Sequence, residues 1–345
     1  MNDAEAVDFL RRLLEIESHT NDEAAAVALV VETMRAHGLS AGPDDVGNAV
    51  GKTDSGSGPQ LMFLGHVDTA PGTVAIHFEG DRLYGRGAVD AKGPLAAAVV
   101  ACSRSGNVSA LTIVGAVGEE GSSHGARHLL NTDPPDAVII GEPGGSDSIV
   151  LGYKGSMRAT LSFSQPSAHT AGPADTIGDV AVDAWMRVRK VCASFSTGGG
   201  TFHKLTPALL VMTSQTDGMD QTASMRASFR LPPDAPLDEI RAQISEAVQP
   251  GTVAFELADP AYLGRKDNRL VTGLMRAIRD EGVKPHFKVK TGTSDMNVVA
   301  PVWRCPTVAY GPGDSSLDHT PDEHIVIDEY LRGIRVLTRV FEEWA

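Results

Sequence analysis

A chain of 345 residues has room for two domains or one large one, and its 42% apolar content is ordinary for a globular protein. Its net charge of −14 argues against nucleic acid as the main partner, and no apolar run approaches the roughly 18 residues needed to span a bilayer. Cys102, Cys192 and Cys305 are odd in number and far apart, which argues against a disulfide framework and for a reducing cytoplasm.

The first residues, Met1 to Glu5, carry acid and no basic, apolar leader, so a signal peptide is not expected. Val7 to Ile16 has helical spacing, and Asn21-Asp22 can cap a second helix through Met34 that Gly38 ends. Pro43 to Pro59 is turn-rich. Leu61-Met-Phe-Leu reads as a buried strand that Gly65 breaks, so His66 and Asp68 fall just past its end. Phe78 to Tyr84 looks like a short excursion and turn. A Gly-rich loop, Gly85-Arg-Gly-Ala-Val-Asp90-Ala-Lys-Gly-Pro94, leads into an Ala/Val-rich helix, with Pro94 suited to its first turn. The strand Leu111 to Val117 runs straight into Gly118-Glu119-Glu120, Ser123 to Leu130 is helical, and the strand Ala137 to Ile140 runs into Gly141-Glu142-Pro143.

The rhythm then changes. Ser156 to Gln165 alternates like a strand, Thr176 to Phe195 is helical, and Leu205 to Ser214 and Ala223 to Leu231 are strands. Leu237 to Val248 is a helix and Thr252 to Leu257 a strand. This is the β-α-β-β-α-β order of a small antiparallel sheet with helices on one face. Tyr153 to Arg265 carries 10 basic and 11 acidic residues against 20 and 33 in the remainder, which fits a separate unit with a different surface. The domain division is therefore 1–152, an insert at 153–265, and 266–345. Asn268 to Gly282 resumes helical spacing, His286 to Val289 is extended, and Gly292 to Asp295 is a loop. Pro306 to Tyr310 is a strand, Asp318-His319-Thr-Pro follows, and a terminal helix starts at Asp328.

The residues at strand ends and in the Gly-rich loop are His66, Asp90, Glu120, Glu142 and His319. Two imidazoles and three carboxylates suit zinc, cobalt or manganese and not a thiolate site. Five ligands exceed one tetrahedral zinc that keeps a water, but fit two ions bridged by a carboxylate at ~3.5–4 Å separation. Glu119 is then spare, beside a ligand, where a carboxylate can take a proton from water; the chemistry is amide hydrolysis. Each signal has an ordinary alternative: Asp90 as a helix cap, Glu119-Glu120 as solvated acids, Asp318-His319 as a plain loop. A metal-stabilised binding module is the rival class, but it has no use for an adjacent base. Gly85-Arg-Gly lacks the third glycine and the downstream acid of a dinucleotide loop.

The series His66-Val-Asp68, Gly85 to Gly93, Glu119-Glu120-Gly, Gly141-Glu142-Pro and Asp318-His319-Thr-Pro resembles the co-catalytic metallopeptidases of the aminoacylase and glutamate carboxypeptidase type, across essentially the whole chain. The resemblance implies an α/β catalytic domain with a mixed sheet and an inserted ferredoxin-like lid that also dimerises the protein. It implies two divalent ions, zinc first, with cobalt or manganese as alternatives. Asp90 would bridge, His66 and Glu142 would hold one ion, and Glu120 and His319 the other. Asp68 would orient His66, and Glu119 would be the general base. His169, in Ser167-Ala-His-Thr-Ala-Gly-Pro, would contribute to the oxyanion hole across the dimer. Arg230 would grip the substrate carboxylate, with a sheet-face salt bridge as its alternative. Thr293 and Ser294 would contact substrate.

Tyr153-Lys-Gly, Lys290 to Asn297 and Tyr310 to His319 are similar to the branch that releases lysine or ornithine from the carrier protein LysW in amino-acid biosynthesis. Deacetylation of acetyl-lysine or acetyl-ornithine, or dipeptidase activity, is the alternative within the same chemistry. The carrier is acidic, so Arg187, Arg189, Lys190 and Lys204 would have to make a local positive face. Ala88-Val89 before Asp90 and Val117-Gly118 before Glu119 depart from the family pattern without touching a ligand.

Overall fold

Two apolar runs explain the centre of the first unit. Leu61–His66 and Leu111–Ala116 lie side by side and parallel, every residue buried except Thr112, so each strand is apolar on both faces. This computed structural model describes residues 1–53, 58–106, 110–169, 172, 174–196 and 199–344. Two units divide the chain: Met1–Gly152 with Gly264–Val289 and Ser294–Ala345, and Tyr153–Leu263 with Lys290–Thr293.

The first unit begins with α1 (Asp3–Leu14), α2 (Ala24–Ala36), β1 (Ser40–Pro43), β2 (Ala49–Lys52), β3 (Leu61–His66), β4 (His77–Glu79), β5 (Arg82–Tyr84) and α3 (Lys92–Arg104). Then come β6 (Leu111–Ala116), α4 (His124–Leu129), β7 (Ala137–Ile140) and β8 (Ser148–Tyr153). The second unit supplies β9 (Gly155–Pro166), α5 (Ile177–Ser194), β10 (Thr206–Thr216), β11 (Asp220–Leu231), α6 (Leu237–Val248), β12 (Thr252–Phe255) and β13 (Tyr262–Leu263). The chain closes with α7 (Arg269–Asp280), β14 (His286–Lys290), α8 (Met296–Trp303), β15 (Thr307–Ala309), β16 (His324–Val326) and α9 (Ile327–Glu343).

The main sheet runs β1-β2-β6-β3-β7-β15-β8. β6, β3, β7 and β15 are mutually parallel, so their carboxyl ends share one edge, the place where open α/β sheets bind ligands. Helix α3 is apolar nearly all round and is sandwiched between the sheet and α9. Its fully buried Leu95 sits over Gly65 and Gly115, where no Cβ competes for the space. Truncating Leu95 to Ala would leave a cavity there and cost about 2–5 kcal/mol.

Three expectations need correction. Gly65 does not break the strand: it pairs with Gly115, and His66 is itself the last paired residue, opposite Ala116. Asn21 and Asp22 do not cap the second helix. Asn21 is in the left-handed region at φ 75°, and the cap position belongs to Glu23, which makes no side-chain cap bond. The turn-rich reading of 43–59 misses β2 and the last residue of its hairpin partner β1, whose Gly and Pro content gives no strand signal.

In the second unit the sheet order is β10-β11-β9-β12, all antiparallel. β9 alternates strictly for most of its length, burying Met157, Ala159, Leu161 and Phe163. Those residues share a core with Ala181, Trp185 and Val188 of α5 and Ile240 and Ile244 of α6. Thr176 caps α5, its side chain accepting from the Asp179 N–H. Among the described residues, no helix is long and apolar enough to cross a membrane.

Candidate metal centre

β3, β6 and β7 end together, and three short loops leave that edge carrying acids. His66 ends β3 and is almost completely buried. Its Nδ1 lies 2.9 Å from the Asp68 carbonyl oxygen. A carbonyl only accepts, so Nδ1 carries a proton and Nε2 is the nitrogen turned to the site. That Nε2 faces Asp90 Oδ1 at 3.2 Å and Glu142 Oε1 at 3.8 Å. On the other side, His319 Nε2 lies 3.0 Å from Asp90 Oδ2 and 2.9 Å from Glu120 Oε1. Asp90 therefore turns one oxygen to each imidazole. The two trios, His66/Asp90/Glu142 and Asp90/Glu120/His319, each bring their donor atoms within 4.8 Å of one another. The first trio is the more deeply buried; His319 is half exposed and sits at φ 61°, a region few non-glycine residues adopt.

Asp68 ties the loops together. Its two oxygens accept the backbone N–H groups of Glu119 and Glu120, both at 3.1 Å, and Oδ2 also accepts from Thr20 Oγ1 at 2.8 Å. Gly118 makes this turn at φ 74°, where an added Cβ would fall 2.2 Å from His124 Nδ1. The Ala70 N–H donates to Glu120 Oε1. Glu119 is thus held by its backbone, and its carboxyl is left to the site.

The donor chemistry fits divalent cations. In each trio an imidazole nitrogen meets two carboxylate oxygens, a convergence of negative charge that a proton on the imidazole or a bound cation offsets. The carboxylates draw charge onto both imidazoles. Hydrogen bonds to Asp90 and Glu120 raise His319 to about 10. Burial opposes protonation of His66, but Asp68 and Asp90 outweigh it and lift it well above its ordinary value. Burial would also raise Asp90, yet the two imidazoles hold it well below the carboxylate range. Burial pushes Glu119 and Glu142 up, and neighbouring carboxylates reinforce both shifts.

Two residues stand here that sequence reasoning left without a role. Asp295 is buried, its Oδ1 has no hydrogen-bond partner among the described residues, and burial raises it to about 6. It adds negative charge beside Glu119 and Glu142. Glu323 is buried with its carboxylate among backbone N–H groups of the Asp90 loop. Asp295 lies inside the run Lys290 to Asn297 and Glu323 two residues past Asp318-His319-Thr-Pro, but nothing in residue type or spacing separates them from loop acids.

The remaining expected residues are placed as follows. Ser294 is buried in the first unit, with its N–H on Asn297 Oδ1 and its Oγ accepting the Met296 N–H. Arg230 and Thr293 meet in the second unit, Nη1 donating to Oγ1 at 2.9 Å. Nearby Lys154 is fully buried; its ammonium donates to the carbonyls of Thr201 and Lys204 and to Thr206 Oγ1. Burial and then the charge of Arg230 push it down to about 8. His169 is exposed just past β9, while Thr170, Ala171 and Pro173 of its run lie outside the described residues.

A sequence model described as peptidase family M20/M25/M40 matches residues 62–343. The chain is 41% identical to the LysW-lysine hydrolase of Deinococcus radiodurans over 97% of this chain and 96% of that protein. It is 38% identical to a putative LysW-lysine/LysW-ornithine hydrolase of Thermococcus kodakarensis, over 98% and 92%. In fold it is similar to the M20 family metallo-carboxypeptidase Sso-CP2 from Sulfolobus solfataricus, with a TM-score of 0.82 at 17% identity over 100% and 99% of the two chains. The aminopeptidase PepT from Bacillus cereus matches at a TM-score of 0.80 and 18% identity, over the same shares.

Proposed function

The chain belongs to peptidase family M20/M25/M40, and from that premise we propose that it is a two-metal amide hydrolase releasing lysine or ornithine from a LysW-type carrier protein. The observation that carries the chemistry is the shared carboxylate: Asp90 turns one oxygen to His66 and the other to His319. The observation that carries the substrate is the likeness to LysW-lysine hydrolases over nearly the full length of both chains.

His66 and Glu142 would hold one ion, Glu120 and His319 the other, with Asp90 between them and zinc the best match to the donors. Bound there, the ions supply Lewis-acid polarisation of the scissile carbonyl and a more acidic water. Glu119 takes the proton of the attacking water. A carboxyl raised by burial keeps that proton long enough to hand it to the leaving amine. Asp68 aligns the ring of His66 and the backbone that presents Glu119. The resemblance assigns His169 of a partner copy to the developing oxyanion, a contribution of about 3–4 kcal/mol for one donor, and Arg230 to the substrate carboxylate.

The second unit also supports a homodimer. β10 is an edge strand, and Leu209, Leu210, Val211 and Met212 on it are exposed, as are Val182 and Met186 of α5. An exposed apolar edge strand is a template for pairing with another chain. The three cysteines are free thiols, which suits the cytoplasm.

The deciding experiment offers the zinc-loaded protein LysW carrying lysine, LysW carrying ornithine, acetyl-lysine, acetyl-ornithine and a dipeptide panel. Free lysine or ornithine from the carrier, abolished by chelator, is the expected result. Cleavage of the acetylated amino acids alone would replace the carrier reading with a deacetylase. No cleavage of any amide with zinc bound would leave a binding module.

A further inference from the structure

The Asp90 loop hangs on one carboxylate. Glu323 Oε1 accepts the backbone N–H groups of Gly87 at 2.9 Å, Val89 at 3.0 Å and Asp90 at 3.2 Å. Its other oxygen takes Arg86 Nη1 at 2.6 Å, and the side chain is fully buried. Three convergent N–H groups around one oxygen form an anion nest, here filled by a side chain of the same protein. Gly87 closes the nest at φ 86°; a Cβ there would lie 2.8 Å from Thr69 Cγ2 and 3.0 Å from Lys92 Cδ. The backbone continues the clamp. β16 pairs with β5, and the Gly85 N–H donates to the Glu323 carbonyl. Glu323 is only four residues beyond His319. One short segment therefore carries one expected ligand and grips the loop that carries another.

We propose that Glu323 is the positioning residue that sets the spacing of Asp90 and His319, and so governs affinity for the ion held between them. This rests on reading the two trios as an ion pair site. Asp90 must aim one oxygen at each imidazole, and its aim follows its own peptide, whose N–H is on Glu323. Without that acceptor, three buried N–H groups lose their partner and the loop must move to find another. Arg86 holds the second oxygen, which leaves the first turned toward the nest. Partners one layer behind metal ligands typically govern affinity or activity by about 10- to 100-fold.

The test uses the full chain stripped of metal and then titrated with zinc against a chromophoric chelator. Wild type should take up two ions, and His319→Ala should lose the weaker one; failure of either undoes the ion-site reading itself. Given both, Glu323→Leu should weaken the second ion about 10- to 100-fold, with kcat low at limiting zinc and recovered in excess. Glu323→Gln keeps one accepting oxygen and should restore most of the affinity. A purely structural side chain would instead lower the melting temperature of the metal-free protein and leave zinc affinity unchanged, which would overturn the proposal. Should Glu323→Leu fail to fold, Glu323→Asp decides: its shorter arm draws the acceptor out of the nest, so wild-type zinc affinity in that variant would equally overturn it.

Discussion

Asp68 Oδ1 accepts the Glu119 backbone N–H at 3.1 Å, while the same oxygen lies 3.5 Å from His66 Nδ1. A ligand and the expected proton carrier therefore share one anchor. The Glu119 side chain can be changed without disturbing that anchor, because the bond runs through its backbone. Glu119→Gln should keep two zinc ions and lose about a hundred- to ten-thousand-fold in kcat. Paired metal analysis and turnover measurement check this; intact turnover would remove Glu119 from the proton-transfer role.

Zinc binding should release protons. His319 is raised to about 10 from an ordinary 6.5, so near pH 7.5 it holds a proton that an incoming cation must displace. The sign follows: a raised histidine stabilises the metal-free fold fully below pH 6.5, and this is lost as pH rises through about 10. Zinc affinity should rise over the same window. Calorimetry in two buffers of different ionisation enthalpy measures the release, and an enthalpy independent of buffer would contradict it.

Lys92 is buried, with its ammonium on the carbonyls of Leu13 and Ile16, and burial lowers it from 10.5 to about 8. A lowered lysine costs stability in full below pH 8, and the cost vanishes above 10.5, because the unfolded chain binds the extra proton between those values. Relative to Lys92→Met, wild type should gain up to about 3 kcal/mol from pH 8 to 10.5. Urea unfolding of both proteins across that range gives the difference; a flat line would show the ammonium is not penalised.

Charge on the edge strand should prevent pairing. Leu210→Lys puts an ammonium at the exposed middle of β10 and touches none of the trios. Sedimentation should pass from dimer to monomer with zinc uptake unchanged. A wild type that sediments as a monomer would discard this interface.

The four basic residues expected to meet an acidic carrier, Arg187, Arg189, Lys190 and Lys204, are all exposed. Arg187 donates to the Ala247 and Gln249 carbonyls and so finishes α6. Reversing Arg189 and Lys190 to Glu should lower kcat/KM for carrier-linked lysine, more at low salt, and leave acetyl-lysine cleavage unchanged. Equal loss on both substrates would rule out a docking role.

Much of this site can be read along the chain, for a simple reason. His66, Glu120 and Glu142 each follow an apolar run, and parallel strands send such positions to one edge of a sheet. The β-α-β-β-α-β order of the insert is legible in the same way, since alternation and helical spacing are local properties. Other features depend on neighbours distant in sequence. Gly65 stays in its strand because it pairs with Gly115 and its missing Cβ makes room for Leu95. The N-terminus of α2 falls at Glu23 because Thr20 is drawn to Asp68 and Asn21 turns left-handed. Glu323 and Asp295 look like ordinary loop acids until folding buries them, one in a nest of N–H groups more than two hundred residues away and the other beside Glu119. Residue type and local pattern are enough to nominate ligands. Which carboxylate supports a ligand, and which merely faces water, is decided by burial and by long-range hydrogen bonds that exist only once the chain has closed on itself.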